Sequence, residues 1–407
     1  MSHNYHIFTL PNGLRVVCLR SDSQVTYTGM AVNAGSRDEL PDRQGLAHFV
    51  EHTIFKGTRT RRSYQIANRM EAVGGELNAY TSKEETLIYT NAPAGYTERA
   101  FELIADLISN SVFPQVEIDR EREVVIEEIH SYLDSLADAV FDEFDENIYA
   151  GSGLAHNILG SPESVRALTG ADCRSFIDRW YTPGNMVLYC VDPSSAERIE
   201  RLALKHFGNL HFDTAPHSRE LPPEVAPFDI VRPGDNHQAN TIVGARVFGR
   251  NDPRRFALFL LNNYLGGPCM NSRLNQELRD RRGLVYTVDS NVSLLSDAGV
   301  MLVYFGCDPT NVARCRRLID RELDRLAQSP LPVRTFEAAK RQYCGQLTVS
   351  TDHRESRAMS LGKSMLYYGE VHDADYTREH IMAVTTEQLR EVAELLTAQH
   401  RCSLSLR

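Results

Sequence analysis

The run HFVEH, His48–His52, sets two imidazoles one helical turn apart with a carboxylate beside them. On a helix, Leu46, Phe49, Val50 and Ile54 form an apolar arc that can pack, while His48, His52 and Phe55 face the other way and Glu51 falls beside His48. Imidazoles at i and i+4 can share one metal ion, and a tetrahedral site of nitrogen and oxygen donors suits zinc. Such a site takes three protein ligands and leaves the fourth position to water, whose pKa the metal lowers. Glu51, one residue before a ligand, is placed to take that proton. The plain alternative is two polar histidines sharing a helix by accident, an infrequent coincidence with fourteen His in 407 residues.

A third ligand is expected further along. Residues 117–149 contain neither Gly nor Pro and read as one long helix, with Ile118, Val125, Ile129, Tyr132 and Leu136 on an apolar stripe. Glu123, Glu127, His130 and Asp134 point to the opposite side as an ordinary charged face, whereas Glu121 and Glu128 fall on or beside the stripe. A carboxylate there carries a desolvation cost unless it meets a metal or a donor, which makes Glu128 the third-ligand candidate. Glu121, two turns earlier, reads equally as a structural residue or as a support for the ligands.

HFVEH followed by EREVVIEEI, Glu121–Ile129, resembles the inverted-zincin metallopeptidases typified by pitrilysin, insulin-degrading enzyme and mitochondrial processing peptidase. Carried over position by position, the resemblance implies His48, His52 and Glu128 as ligands of one Zn2+ per chain, Glu51 as general base and Glu121 as a supporting acid. NAGSRDE (Asn33–Glu39), GGELNAYTSKEETLIY (Gly74–Tyr89) and LRDRRGLVYTV (Leu278–Val288) are also similar to family segments, so the resemblance covers nearly the whole chain. From the last segment it implies that Arg279 and Tyr286 reach the scissile peptide and stabilise the tetrahedral oxyanion. Taken alone, RDRRGLVY reads as a basic turn entering a strand. The resemblance further implies that the strand after Gly74 and Gly75 is an edge to which an extended substrate adds, with Asn78 and Ala79 as backbone contacts. Phe55 is a candidate lining for the residue after the cut. On their own these are strand residues after a glycine turn and an aromatic at core spacing. Gly266 and Gly267 are similar to a family glycine segment, here too short for a substrate-sensing loop.

A chain of 407 residues exceeds what one core organises and implies two or more domains. The net charge of -10 argues against nucleic acid and against an anionic membrane surface as partners. Eight scattered cysteines without a C-x-x-C suggest a reducing compartment, and no apolar run approaches membrane-spanning length. The opening HIFTLPNGLRVVCL, a strand, turn and strand with no charged leader before it, suggests the cytoplasm.

Two halves of similar grammar are expected: a first domain over 1–212, a proline-rich linker over 213–230 and a second domain over 231–407. Each runs strand, helix, helix, strand pair, helix. The first contains TYTGMAVNAG, the HFVEH helix, a helix near Tyr64–Val73, the pair in ELNAYTSKEETLIYTNAP and a helix from about Thr97. The second contains NTIVGARVFG, RRFALFLLNNYLGG, LNQELRD, the pair in GLVYTVDSNVSLLSDAGVMLVYFGCD and a helix from about Asn311. This pattern points to an internal duplication. FLLNNYLGG carries no ligand set, so metal is expected in the first half only. The fold class is α+β, two homologous domains, each an antiparallel sheet with helices packed on one face.

Together these features lead to the expectation of a zinc endopeptidase of the smaller, two-domain, bacterial-type subfamily, acting on unfolded peptides or oligopeptides. Full-length relatives close a chamber with four domains. Two copies of this chain are therefore expected to pair as a homodimer, with Arg279 and Tyr286 of one chain serving the zinc of the other. A heterodimer with a related subunit is the alternative pairing. The rival function is a non-catalytic assembly subunit of the same fold, which filled catalytic motifs disfavour.

Overall fold

The computed structural model describes residues 5–210, 218–234 and 237–407. The strands are β1 Tyr5–Thr9, β2 Arg15–Arg20, β3 Val25–Val32, β4 Glu76–Thr81, β5 Thr86–Pro93, β6 Met186–Asp192, β7 Asp229–Arg232, β8 Ala239–Phe248, β9 Val285–Leu294, β10 Ala298–Cys307 and β11 Cys402–Leu406. They form two sheets, ordered β1-β2-β6-β3-β5-β4 and β7-β11-β8-β10-β9. Without β1, the two orders are the same in chain sequence, which is the duplication expected from the repeated grammar. The pairs β2·β6 and β7·β11 are parallel and the remaining pairs antiparallel. Each sheet is thus mixed, because its late strand, β6 or β11, returns from a long excursion to lie parallel beside β2 or β7.

The first half supplies α1 Leu46–Thr53, α2 Ser63–Glu71, α3 Thr97–Asn110, α4 Gln115–Asp134, α5 Leu136–Ile148, α6 Pro162–Ala167, α7 Gly170–Trp180 and α8 Ala196–Phe207. The second supplies α9 Arg255–Gly266, α10 Val312–Gln328, α11 Val333–Ser350, α12 Arg354–Tyr368, α13 Ala374–Ala383 and α14 Thr386–Glu394. The segment LNQELRD forms a π-helical turn over Asn275–Asp280.

The compact units do not follow a single cut near 213–230. One comprises Met1–His130, His156–Arg219 and Asp352–Asp373; the other comprises Ser131–Ala155, Glu220–Thr351 and Ala374–Arg407. Of the expected linker, residues 213–217 lie outside the described residues, and 218–228 have no regular secondary structure. The reason for the exchange is visible in the strands. In the first unit Val16, Cys18, Met30, Val32, Leu188 and Cys190 face the main helical core. The alternate residues Val17, Leu19, Ala31, Leu87, Val187, Tyr189 and Val191 form a second apolar face, covered by Ala358, Leu361, Met365 and Leu366 of α12. In the second unit Ile242, Val300, Leu302 and Leu404 form the equivalent face, covered by Val140, Phe144 and Ile148 of α5. To the expected helical layer on one face, each half therefore adds one helix on the other, drawn from the opposite half of the sequence.

That exchange also divides the long helix expected over 117–149. Ser135, at φ -95 and ψ 96, separates α4 from α5. Ile118, Val125 and Ile129 are buried in the first unit, Tyr132 is exposed, and Leu136 packs in the second.

Candidate metal centre

Helix α1 starts abruptly. Its N-cap, Gly45, sits at φ 87, a left-handed conformation that suits glycine, and a Cβ there would stand 2.5 Å from the Leu159 carbonyl oxygen. Leu46, Phe49, Val50 and Ile54 are buried in the core, as the wheel requires. His48 and His52 leave the opposite face with ring centroids 4.6 Å apart.

Helix α4 brings Glu128 to them. Its Oε2 lies 3.4 Å from His52 Nε2 and 3.8 Å from His48 Nε2. The three candidate ligand atoms lie within 4.8 Å of one another, and among the described residues no other such group of His, Cys, Asp or Glu occurs. Ligands about 2 Å from a tetrahedral zinc stand a little over 3 Å apart, so the set fits with small adjustments. Burial lowers His48 to about 3, with His52 adding in the same direction, so its imidazole is neutral, the form that ligates.

Glu121 lies beside His52. Its Oε2 is 3.3 Å from His52 Nδ1, while its Oε1 meets Lys56 Nζ at 2.7 Å. A carboxylate on the far nitrogen of a ligating imidazole fixes that ring and its tautomer. The sequence reads Glu121 as a supporting acid or as structure, and the fold sets it within reach of His52; Lys56, four residues after His52 and so on the same side, carries no signal of its own in the sequence. Glu51 is half-buried, and burial pushes its carboxyl up, with Glu128 adding and His52 opposing.

The remaining candidates are placed as follows. Phe55 falls after the C-cap Ile54, and it packs half-buried against the main core. Strand β4 is terminal in its sheet, leaving one backbone edge unpaired by any described strand. On it Asn78 is exposed, Ala79 points its methyl into the core, and Asn78 Oδ1 accepts the Ala79 N–H at 2.8 Å. Arg279 is the penultimate residue of the π-helical turn and Tyr286 the second residue of β9, both in the second unit. Tyr286 is 63% exposed. Glu277 gathers Arg273, Arg281 and Arg282, whereas Arg279 makes no ion pair among the described residues.

Comparison with known proteins matches residues 15–162 to the model described as insulinase (peptidase family M16) and residues 167–343 to the one described as peptidase M16 inactive domain. An uncharacterized zinc protease of Streptomyces coelicolor is 34% identical over 397 residues, covering 95% of this chain and 85% of the relative. The chain belongs to peptidase family M16. An uncharacterized zinc protease of Bacillus subtilis is 30% identical to this M16 chain over 399 residues, covering 98% of it and 97% of the relative. The bovine mitochondrial-processing peptidase subunit beta is 30% identical over 396 residues, covering 94% and 80%. A crystal structure of a protease from Helicobacter pylori shares the M16 fold with a TM-score of 0.90, covering 100% of both chains at 22% identity.

Proposed function

We propose that this M16 chain is a zinc-dependent endopeptidase of unfolded peptides. The observation that carries the reading is the convergence of His48, His52 and Glu128 from two helices, with Glu51 between the two histidines in sequence. Zinc, when bound by those three, supplies the Lewis acid that lowers the pKa of water toward neutrality. The Glu51 carboxylate takes the proton of the attacking water and passes it to the departing amine nitrogen. Glu121 holds the His52 ring through Nδ1, and Lys56 pairs with the other oxygen of Glu121.

Substrate is held as an added strand on the open edge of β4, with backbone contacts at Asn78 and Ala79 and with Phe55 beside the residue after the cut. The Arg279 guanidinium and the Tyr286 hydroxyl donate to the developing oxyanion. Their exposure, and the lack of an ion pair at Arg279, support a role toward a partner or substrate. We assign them to the zinc site of a second copy, in a homodimer whose enclosed space admits peptides and excludes folded proteins. The cytoplasm is the proposed setting, in keeping with eight free cysteines; no helix among the described residues is long and apolar enough to cross a membrane.

Mixing Glu51→Gln and Arg279→Ala chains, each inactive alone, tests the arrangement with a quenched peptide after subunit exchange. Regained hydrolysis is expected. Exchange without recovery overturns the shared site, and a wild-type chain that takes up no zinc overturns the peptidase reading. A second reading, an active subunit that needs a different partner chain, draws on the likeness to a relative that is itself named a subunit. It predicts a wild-type chain that binds zinc but hydrolyses nothing until a related chain is added.

A further inference from the structure

Helix α1 has no capping side chain of its own, because its N-cap is Gly45. The cap comes from Glu39, whose side chain is fully buried. Glu39 Oε1 accepts the Ala47 N–H at 2.7 Å and Oε2 accepts the Gly45 N–H at 2.8 Å. The same Oε2 lies 2.9 Å from His156 Nε2. Two backbone donors and one ring nitrogen thus converge on two oxygens; burial pushes the Glu39 carboxyl up, and His156 and the two backbone N–H groups oppose it, an arrangement that suits the carboxylate with the proton on His156 Nε2. Ala47, one of the two capped residues, directly precedes the candidate ligand His48.

The contacts continue to the candidate substrate edge. The His156 carbonyl oxygen accepts Lys83 Nζ at 2.6 Å, and Lys83 lies in the turn from β4 to β5. The loop bearing Glu39 is tied to that turn, with Ser36 N–H to the Ser82 oxygen at 3.1 Å and Arg37 N–H to the Lys83 oxygen at 2.8 Å. The His156–Gly160 loop also abuts the start of α1. A Cβ at Gly160, which sits at φ 75, would stand 2.6 Å from the Gln44 oxygen. The first turn of α1 is therefore held between two loops, with the buried carboxylate inside.

We infer that Glu39 is a positioning residue for the metal centre. With His156 it fixes the first turn of α1, and hence the His48 imidazole, relative to Glu128 and to the β4–β5 turn. An ordinary helix cap contributes stability alone; a cap placed beside a ligand also sets metal affinity, because a ligand held in place loses less freedom on coordination. Glutamine is the discriminating replacement. It matches glutamate in size, but its amide nitrogen must face either the Ala47 N–H or the pair of donors at Oε2.

This inference rests on the zinc reading, and its test reads the ion itself. Zinc affinity is measured by chelator competition on wild-type, Glu39→Gln and His156→Gln chains, together with the melting temperature of each zinc-free protein. The expected result is a loss of about 10–100-fold in zinc affinity for Glu39→Gln and a smaller loss for His156→Gln. On the quenched peptide, kcat falls for Glu39→Gln while KM holds. A lowered melting temperature with wild-type zinc affinity and kcat makes Glu39 a structural cap only and overturns the inference. Should Glu39→Gln fail to fold, wild-type zinc affinity in His156→Gln overturns it. Failure of the wild-type chain to bind zinc removes the peptidase reading and the inference together, whereas equal binding by wild type and variants removes the inference alone.

Discussion

The two halves set the same pair of helices beside the same kind of sheet and dress them with different side chains. In the first, α1 and α4 bring His48, His52 and Glu128 together. In the second, α9 and α11 follow at the same places in the chain order. Pro114 and Pro332 directly precede α4 and α11. Counted from each helix start, the fourteenth residues are Glu128 and Gln346 and the seventh are Glu121 and Ala339. Helix α9 buries Leu258 and Leu261 and carries no histidine, and Gln346 Nε2 instead donates to Cys269 Sγ at 2.9 Å. The backbone frame is thus shared, and a handful of side chains separates the half that carries a candidate ligand set from the half that carries none.

The largest effects are expected where the first half is made to resemble the second. Glu51→Gln keeps the three candidate ligands but removes the proposed acceptor for the water proton. It should cost about 10²–10⁴-fold in kcat with zinc content unchanged, checked by peptide kinetics beside elemental analysis. Glu128→Gln installs at the fourteenth residue of α4 the amide that α11 carries. Its uncharged oxygen is a poor third ligand, so zinc content after dialysis against chelator should fall close to zero. Retained zinc in this variant breaks the comparison, because the amide of the second half would then be no barrier to metal.

Glu121→Ala copies Ala339. The three ligands remain, but His52 Nδ1 loses its partner and Lys56 is left without the carboxylate it meets at 2.7 Å. Zinc affinity should fall by about 10–100-fold, read by chelator competition, while a lowered melting temperature with wild-type affinity would mark Glu121 as structural.

Much of this was legible in the sequence because two periodicities are strong. The wheel of Leu46, Phe49, Val50 and Ile54 against His48 and His52 survives unchanged, and the phase of α4 places Glu128 rather than exposed Glu127 or His130 beside the two histidines. The exchange of α5 and α12 went unread, since nothing local says which sheet an amphipathic helix will cover. A trace was present nonetheless. Strands such as MVLYCVD and AGVMLVYFGC are apolar almost without interruption and are buried at every residue, the pattern of strands covered on both faces. Glu39 was legible only as part of NAGSRDE, because its partners Ala47 and His156 are brought to it by the fold.

The reciprocal exchange can be tested at the closest approach of α12 to its sheet. A Cβ on Gly362 would stand 2.3 Å from Tyr189 Cδ1, and one on Gly29 in β3 would stand 2.4 Å from the Tyr189 hydroxyl oxygen, so the ring lies between two glycines. Helix propensity alone makes Gly362→Ala stabilising by about 1 kcal/mol. The crowded ring reverses the sign, to a destabilisation of about 1–3 kcal/mol, measured by denaturant unfolding. A stabilised variant would mean that α12 does not press on this face.

The smallest effect is expected from the opposite exchange, Gln346→Glu, which gives the second half the carboxylate of the first. One carboxylate does not make a site: α9 carries no histidine and no acid where α1 offers two imidazoles and a carboxylate, and Ala339 leaves nothing to orient a ligand. Zinc should remain at one equivalent per chain. Losing the Gln346 donation to Cys269 Sγ should cost about 0.5–1.5 kcal/mol at most, because that sulfur is a weak acceptor and the side chain is only half-buried. A second equivalent of zinc in this variant would show that the frame, and not the histidine pair on α1, is what selects the metal.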